Sequence, residues 1–427
     1  MKNTAAKTSI FKKLLGIILA FGPGIFAIGY TIGTGSVTSM TVAGSTYGMQ
    51  LLWVLVLSCL FSGALIYAYG QFALVTGETG LYAFRKHLKW GKLVAILVLV
   101  GISFGQWNSL MGILGISSSI FFEISAIYFP SIEEAGINVP FIIAALIIVI
   151  MYALLLQGKY TFFEKILVIF VTIMGFSFLF SLFFVHPLPT EVLEGLVPSI
   201  PNVKGGKMMV AAFVGTTMAS ATFLSRPLFV RGKGWNLKEN EGQQKKDAII
   251  AAFLVFMISG AIMAVACGAL FHDGKPVVTV LDMVGTLEPV AGKFALTLFF
   301  FGTLSAGLSS IFPCLLIAPI LLADYQSGEL DTTSNQFKII TAFACLFALI
   351  GPAIGADAIE VQILSQVFNV FVLPLVVIAI LILLNKASLM NGYKPHWLLN
   401  TLIGAAFIFA CVISFNGVIA LLEYFNA

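Results

Sequence analysis

The chain has 427 residues, of which 59% are hydrophobic and only 10% are charged, with 23 Lys and Arg against 19 Asp and Glu and a net charge of +4. A soluble domain carries roughly 25% charged residues, and a mean hydropathy of +1.03 means that most of this chain cannot face water. These values exclude a soluble globular enzyme, a disordered chain and a nucleic-acid binder, and they leave a polytopic helical protein embedded in a lipid bilayer.

The N-terminal stretch MKNTAAKTSIFKKLLGIILAFG has the basic flank and apolar run of a signal peptide. No A-x-A-like cleavage site follows, and apolar character continues past Gly35, so it reads as the start of a first span. Eleven stretches are long enough to cross about 30 Å of hydrocarbon. They lie near 14–45, 50–76, 93–120, 139–157, 165–185, 208–230, 248–271, 294–323, 337–354, 361–384 and 397–421. The runs are too long for barrel strands and lack their period-2 alternation. With the N-terminus cytoplasmic, only Lys204, Lys207, Lys275 and Lys293 fall outside, and the other 19 of the 23 basic residues fall inside. That split satisfies the positive-inside rule and puts the C-terminus outside. The expected location is a bacterial inner (plasma) membrane.

Spans one and six differ from the rest. Span one reads FGPGIFAIGYTIGTGSVTSMTVAGS, rich in glycine, with hydroxyls at Thr34, Ser36, Thr38 and Ser39. Span six reads AAFVGTTMASATFLSRPLF, with Gly215, Thr216, Thr217, Met218, Ser220, Thr222 and Ser225. Glycines and small polar residues at mid-membrane let a helix unwind, and the freed backbone groups survive only in a cavity or against protein. The two stand five spans apart. That spacing fits inverted five-helix repeats, about 14–185 and 208–384, each opening on a broken helix, with an extra helix at 397–421. The gap between the breaks is the expected substrate site. Packing through small residues is the competing explanation for either span taken alone.

The remaining polar residues are sparse. Cys59, Cys267, Cys314, Cys345 and Cys411 all lie in apolar runs without CxxC spacing and read as core-filling thiols. The four histidines lack metal-ligand spacing. Arg226 reads as a snorkelling side chain at the inner boundary, with an inner-gate ion pair or an anion contact as the alternative. Gln106, Trp107 and Asn108 in span three are expected to face the bundle interior. No span carries an interior carboxylate. Paired carboxylates, a nucleophile–His arrangement and a P-loop are all absent, so enzyme chemistry and ATP-driven pumping find no support.

Several segments carry a resemblance. YGMQLLWVLVLS (47–58) follows AGS at 43–45, and LLLQGKYTFFEKILVIFVTIMGFSF covers 154–178. VLEGLVPSIP (192–201), LEPVAGKFALTLFFFGTLSAGLSS (287–310) and LSQVFNVFVLPLVVIAIL (364–381) complete the set. Together these resemble the NRAMP (natural resistance-associated macrophage protein) family of divalent metal transporters over nearly the whole chain. The resemblance implies an all-α, eleven-helix, inverted-repeat membrane fold of the leucine-transporter type. It also implies a secondary transporter, such as a symporter, with no cofactor and with a metal ion as cargo.

The site motifs depart from that family. Its first-helix Asp-Pro-Gly-Asn corresponds to Gly33, Thr34, Gly35 and Ser36, so the metal-binding carboxylate is missing. The family's sixth-helix Met matches Met218, followed here by Ala219, Ser220 and Ala221. The acidic pair of its third helix corresponds to Gln106 and Ser109, its tenth-helix Gln to Gln366, and a second amide further along to Val372. The expected substrate residues are therefore Gly33, Thr34, Ser36, Gly215, Met218 and Gln366, with Met218 and Gln366 the metal-ligand candidates. Gln106, Asn108, Ser109, Ser309 and Ser310 are candidates for a coupling-ion or pathway role. A bare divalent cation is costly to desolvate and is normally met by carboxylates. Three readings stand: a divalent-cation transporter with an altered, uncharged site; a transporter of a zwitterionic, anionic or polar organic solute; and a non-transporting receptor. The coupling ion, H⁺ or Na⁺, stays open.

Overall fold

The computed structural model describes residues 32–132, 138–157, 160–203, 205–274, 277, 282 and 288–426, and no strand occurs among them. The first half of span one, with Gly22, Pro23, Gly24 and Gly29, lies outside the described residues. In chain order the helices are α1 (Thr34–Tyr47), α2 (Leu52–Thr76), the short α3 (Gly80–His87) and α4 (Gly91–Tyr128). Next come α5 (Val139–Leu155), α6 (Tyr160–Ser181), the short α7 (Pro189–Glu194), α8 (Gly206–Thr217) and α9 (Ser220–Gly232). The remainder are α10 (Leu237–Ala266), α11 (Glu288–Ser327), α12 (Asn335–Ala348), α13 (Ile350–Ile354), α14 (Ala358–Val370), α15 (Leu373–Leu384) and α16 (Trp397–Phe425).

Long runs of Leu, Ile, Val and Phe form helices in lipid because only a helix pairs all of its backbone groups internally. Among the described residues, eight helices are long and apolar enough to cross, counting α8–α9 and α14–α15 each as one interrupted span. Helix starts are marked where side chains accept the first N–H groups. Asn138 accepts from Phe141, Asn236 from Glu239, Ser334 from Phe337, and Asp357 from both Ile359 and Glu360.

The α8–α9 span is the centre of the bundle, with 94% of its apolar window buried, whereas α16 buries 28% and lies at the rim. Around that centre α8 packs on α14 and α1, α4 packs on α14 and α11, and α10 packs on α2 and α1.

Among the described residues, helical geometry begins or breaks inside three of the expected spans. α1 begins at Thr34 after the extended residue Gly33. α8 stops at Thr217, Met218 and Ala219 leave helical geometry, and α9 restarts at Ser220. The third interruption was not expected. The 361–384 span breaks at Phe371 and Val372, and α15 restarts with Pro374 in its first turn. Proline lacks an N–H and cannot continue the ladder, so it fits a restart.

The connections sort into two ends. At one, Asp324 of α11 accepts hydrogen bonds from the Thr79 hydroxyl, Leu81 N (2.8 Å) and Tyr82 N (3.3 Å) and so caps α3. Arg231 pairs with Glu329 at 2.6 Å, Arg85 donates to Gln326 O at 3.1 Å, and Lys386 donates to His87 O at 3.0 Å at the same end. At the other, Trp53 donates to Ser199 O at 2.9 Å, His272 meets Glu191 at 2.9 Å, and Lys207 pairs with Glu423 at 2.7 Å.

One expectation about charge is corrected here. Arg226 does not snorkel: it is 1% exposed and pairs with the equally buried Asp247 at 2.5 Å. Its second guanidinium nitrogen donates to Gln244 Oε1 at 2.8 Å, and Gln244 donates on to Tyr67 O at 2.9 Å. Asp247 and Asp324 are both buried, each one residue outside the expected spans 248–271 and 294–323.

Candidate substrate site

The start of α1, the α8–α9 break and the last turns of α14 meet at one partly open cavity of about 20 Å³, room for a single water-sized occupant. Gly33 and Gly35 line it from the start of α1, and Thr216 and Ala219 from the α8–α9 break. Gln366 and Asn369 come from the last turns of α14, Gln106, Ser109 and Ile113 from α4, and Ser310 and Cys314 from α11.

Spacing explains why these side chains converge. Gln362, Gln366 and Asn369 stand four and three residues apart and share one face of α14, as Gln106 and Ser109 do on α4 and Ser310 and Cys314 on α11. Glycine makes the approach close enough. A Cβ at Gly215 would fall 1.9 Å from the Gln366 carbonyl oxygen, and one at Gly35 would fall 2.6 Å from Gln366 Nε2. α8 and α14 can therefore touch backbone to backbone beside the cavity.

The wall is a continuous hydrogen-bonded chain. The Cys314 thiol donates to Gln106 Oε1 at 3.4 Å, and Gln106 Nε2 donates to Asn369 Oδ1 at 3.1 Å. Asn369 Nδ2 donates to Gln366 Oε1 at 3.2 Å, and Gln366 Nε2 donates to Ser109 Oγ at 3.3 Å. Ser109 Oγ also accepts from Gln362 Nε2 at 3.0 Å. Across the break, the Ser36 and Thr216 hydroxyls are hydrogen-bonded at 2.9 Å.

The electrostatics come from dipoles. No Asp, Glu, His, Lys or Arg is among the lining residues. The first N–H groups of α1 have no intrahelical acceptor and put a positive end at the cavity. Met218 N donates to Val214 O and closes the last turn of α8, whose final carbonyls give a negative end opposite.

Of the expected residues, Gly33, Gln366, Gln106, Ser109 and Ser310 line the cavity. Thr34 and Ser36 are buried in the first turn of α1 rather than in an unwound stretch, and they flank the lining Gly35. Gly215 lies directly behind Gln366. Met218 caps α8, is 1% exposed, and is not part of the cavity wall. Ser309 turns its hydroxyl to Ala306 O at 3.0 Å and also does not line the cavity. Asn108 donates to Phe104 O at 2.8 Å on its own helix, away from the cavity. Residues that sequence reasoning did not single out are Asn369, Thr216 and Cys314. The i+3 spacing of Asn369 from Gln366 was the available signal.

This geometry can be set beside known proteins. The family model described as natural resistance-associated macrophage protein-like matches residues 24–420. The chain belongs to the Nramp family. Among relatives, the Divalent metal cation transporter MntH of Vibrio campbellii is 25% identical over 406 residues, covering 93% of this chain and 91% of that one. The protein of the same name from Aeromonas hydrophila is 27% identical over 380 residues, covering 87% and 88%. Among solved structures, a mutant of the Eremococcus coleocola manganese transporter superposes with a TM-score of 0.71 at 15% identity, covering 98% of this chain and 89% of that one. MhsT in complex with L-phenylalanine superposes at 0.60 with 16% identity, covering 96% and 98%. This Nramp-family chain is an integral membrane transporter and not an enzyme.

Proposed function

We propose that the chain is a secondary transporter of a divalent metal cation, and that the cation passes through the uncharged cavity between the three helix interruptions. The observation that carries this reading is the cavity itself. It lies where α1 begins, where α8 ends and beside the end of α14, and its wall presents amide and hydroxyl oxygens alongside Ile113 and Ala219. Its volume of about 20 Å³ suits an ion or a water. On this measure one water needs about 10–15 Å³, so an amino acid or other organic solute needs this wall to part. The printed names of the Vibrio campbellii and Aeromonas hydrophila relatives point the same way.

The absent carboxylate sets the terms of binding. Oxygen dipoles replace part of a cation's hydration but do not cancel its charge. Binding is therefore weak, and the cation keeps some of its water. With no carboxylate or imidazole in the lining, no group is placed to carry a proton inward with the cargo. The proposed orientation has the N-terminus cytoplasmic and the C-terminus outside, in an inner (plasma) membrane. The gathering of the 77–92, 231–246 and 324–331 segments at one end of the bundle supports it.

Uptake into proteoliposomes tests the reading, with Mn²⁺, Mg²⁺ and a panel of amino and organic acids as substrates. Divalent-cation uptake without accompanying acidification of the lumen is expected. Uptake of an organic solute with no cation flux would overturn it.

A further inference from the structure

We propose that Cys314 is the soft donor of this site and biases it toward thiophilic divalent cations such as Cd²⁺ and Zn²⁺. The inference rests on the metal-transport reading above. By residue type, the soft role falls first to the Met218 thioether. The cavity wall excludes Met218 and includes Cys314. Cys314 stands one turn after Ser310 on α11, so both point the same way, and both line the cavity.

The hydrogen-bonded chain around the cavity has a direction. Each amide oxygen accepts from the preceding residue, and each amide nitrogen donates to the next. It ends on Ser109 Oγ, which accepts twice. Cys314 begins it, and its proton lies between the sulfur and Gln106 Oε1, 3.4 Å apart. A cation that takes the place of that proton meets a sulfur and an amide oxygen as neighbouring ligands. The exchange balances: the S–H bond breaks, an S–metal bond forms, and the proton leaves to water. One of the cation's two charges is then met by sulfur, which supplies what the missing carboxylate does not. Sulfur ligands select Zn²⁺ and softer ions, whereas an all-oxygen wall suits Mn²⁺ and Mg²⁺. The other four thiols, at Cys59, Cys267, Cys345 and Cys411, lie off the cavity.

The test compares Cd²⁺ and Mn²⁺ uptake in competition, in wild type and in Cys314→Ser, which keeps the size and the hydrogen bond but removes the soft atom. Losing a first ligand costs at least what losing an outer partner does, so the Cd²⁺-over-Mn²⁺ preference should fall about 10–100-fold. Purified protein titrated with Cd²⁺ gives a second readout. Wild type should show a sulfur-to-cadmium charge-transfer band that Cys314→Ser lacks. If wild type carries neither cation, the metal-transport reading itself fails. If it carries both and Cys314→Ser keeps the wild-type preference, only the role of Cys314 is overturned. If Cys314→Ser carries neither, the band decides: its loss supports the assignment and its persistence overturns it.

Discussion

Among the described residues, the narrowest tolerance is at Gly215. A methyl group there would sit 1.9 Å from the Gln366 carbonyl oxygen and 2.7 Å from its carbon, and backbone atoms cannot rotate away. Gly215→Ala must push α8 off α14. Overpacking of this kind costs about 1–3 kcal/mol and also moves Gln366, so the expected result is a lower Tm in detergent together with reduced uptake. An unchanged Tm would mean that the two backbones are not in contact. Residue-scale legibility was uneven for reasons of chemistry. Gln366 stood out through the family resemblance, and Gln106 also because an amide is unusual on a lipid-facing turn. Asn369 was passed over because the family comparison drew the second amide to position 372, where Val372 stands. Cys314 was read as packing, since a thiol in an apolar run is usually that, and only the cavity separates it from the other cysteines.

At the scale of helices, the charged contacts divide into buried and capping ones. Removing one partner of a buried ion pair strands the other charge in low dielectric and costs about 3–5 kcal/mol. Asp247→Asn should therefore lower Tm strongly by leaving Arg226 without its carboxylate. Arg226→Leu combined with Asp247→Leu should lie closer to wild type than either single change, and thermal melts of the four proteins check this. A second prediction concerns α12. Asp331, in the loop before it, is held below the usual carboxylate range first by the Ser334 side chain and then by the Thr333 N–H, with a further bond from Ser334 N–H. A depressed carboxylate contributes stability that is present above its unfolded pKa and is lost as pH falls through its folded pKa. Hydrogen exchange at the start of α12, corrected for the intrinsic rate, should rise at acid pH and should no longer do so in Asp331→Asn. The break in span six was legible because a glycine and hydroxyls mark it, whereas in span one only the start of α1 is described. The break at Phe371 and Val372 was not, because these are ordinary span residues and Pro374 also suits a continuous kinked helix.

Over the whole molecule, composition and loop charge carried most of the fold. Apolar runs placed the helices, and the basic loops foretold which connections gather at one end, where Asp324 caps α3 and Arg231 meets Glu329. Sequence could not show that the amide ladder of α14 joins α4 and α11 in one hydrogen-bonded chain, because that depends on packing at glycine contacts. The orientation predicts that a cysteine placed in the 77–92 loop of an otherwise cysteine-free protein reacts with an impermeant thiol reagent only from the cytoplasmic side. Reaction from outside would invert the topology. The central claim is that the ion passes through a cavity without a carboxylate ligand. The most direct measurement is the anomalous difference density of Mn²⁺-soaked crystals. A single peak bounded by Gly33, Gln106, Gln366 and Asn369 is the predicted result; a Mn²⁺ peak on a carboxylate elsewhere in the bundle, with that cavity empty, would contradict it.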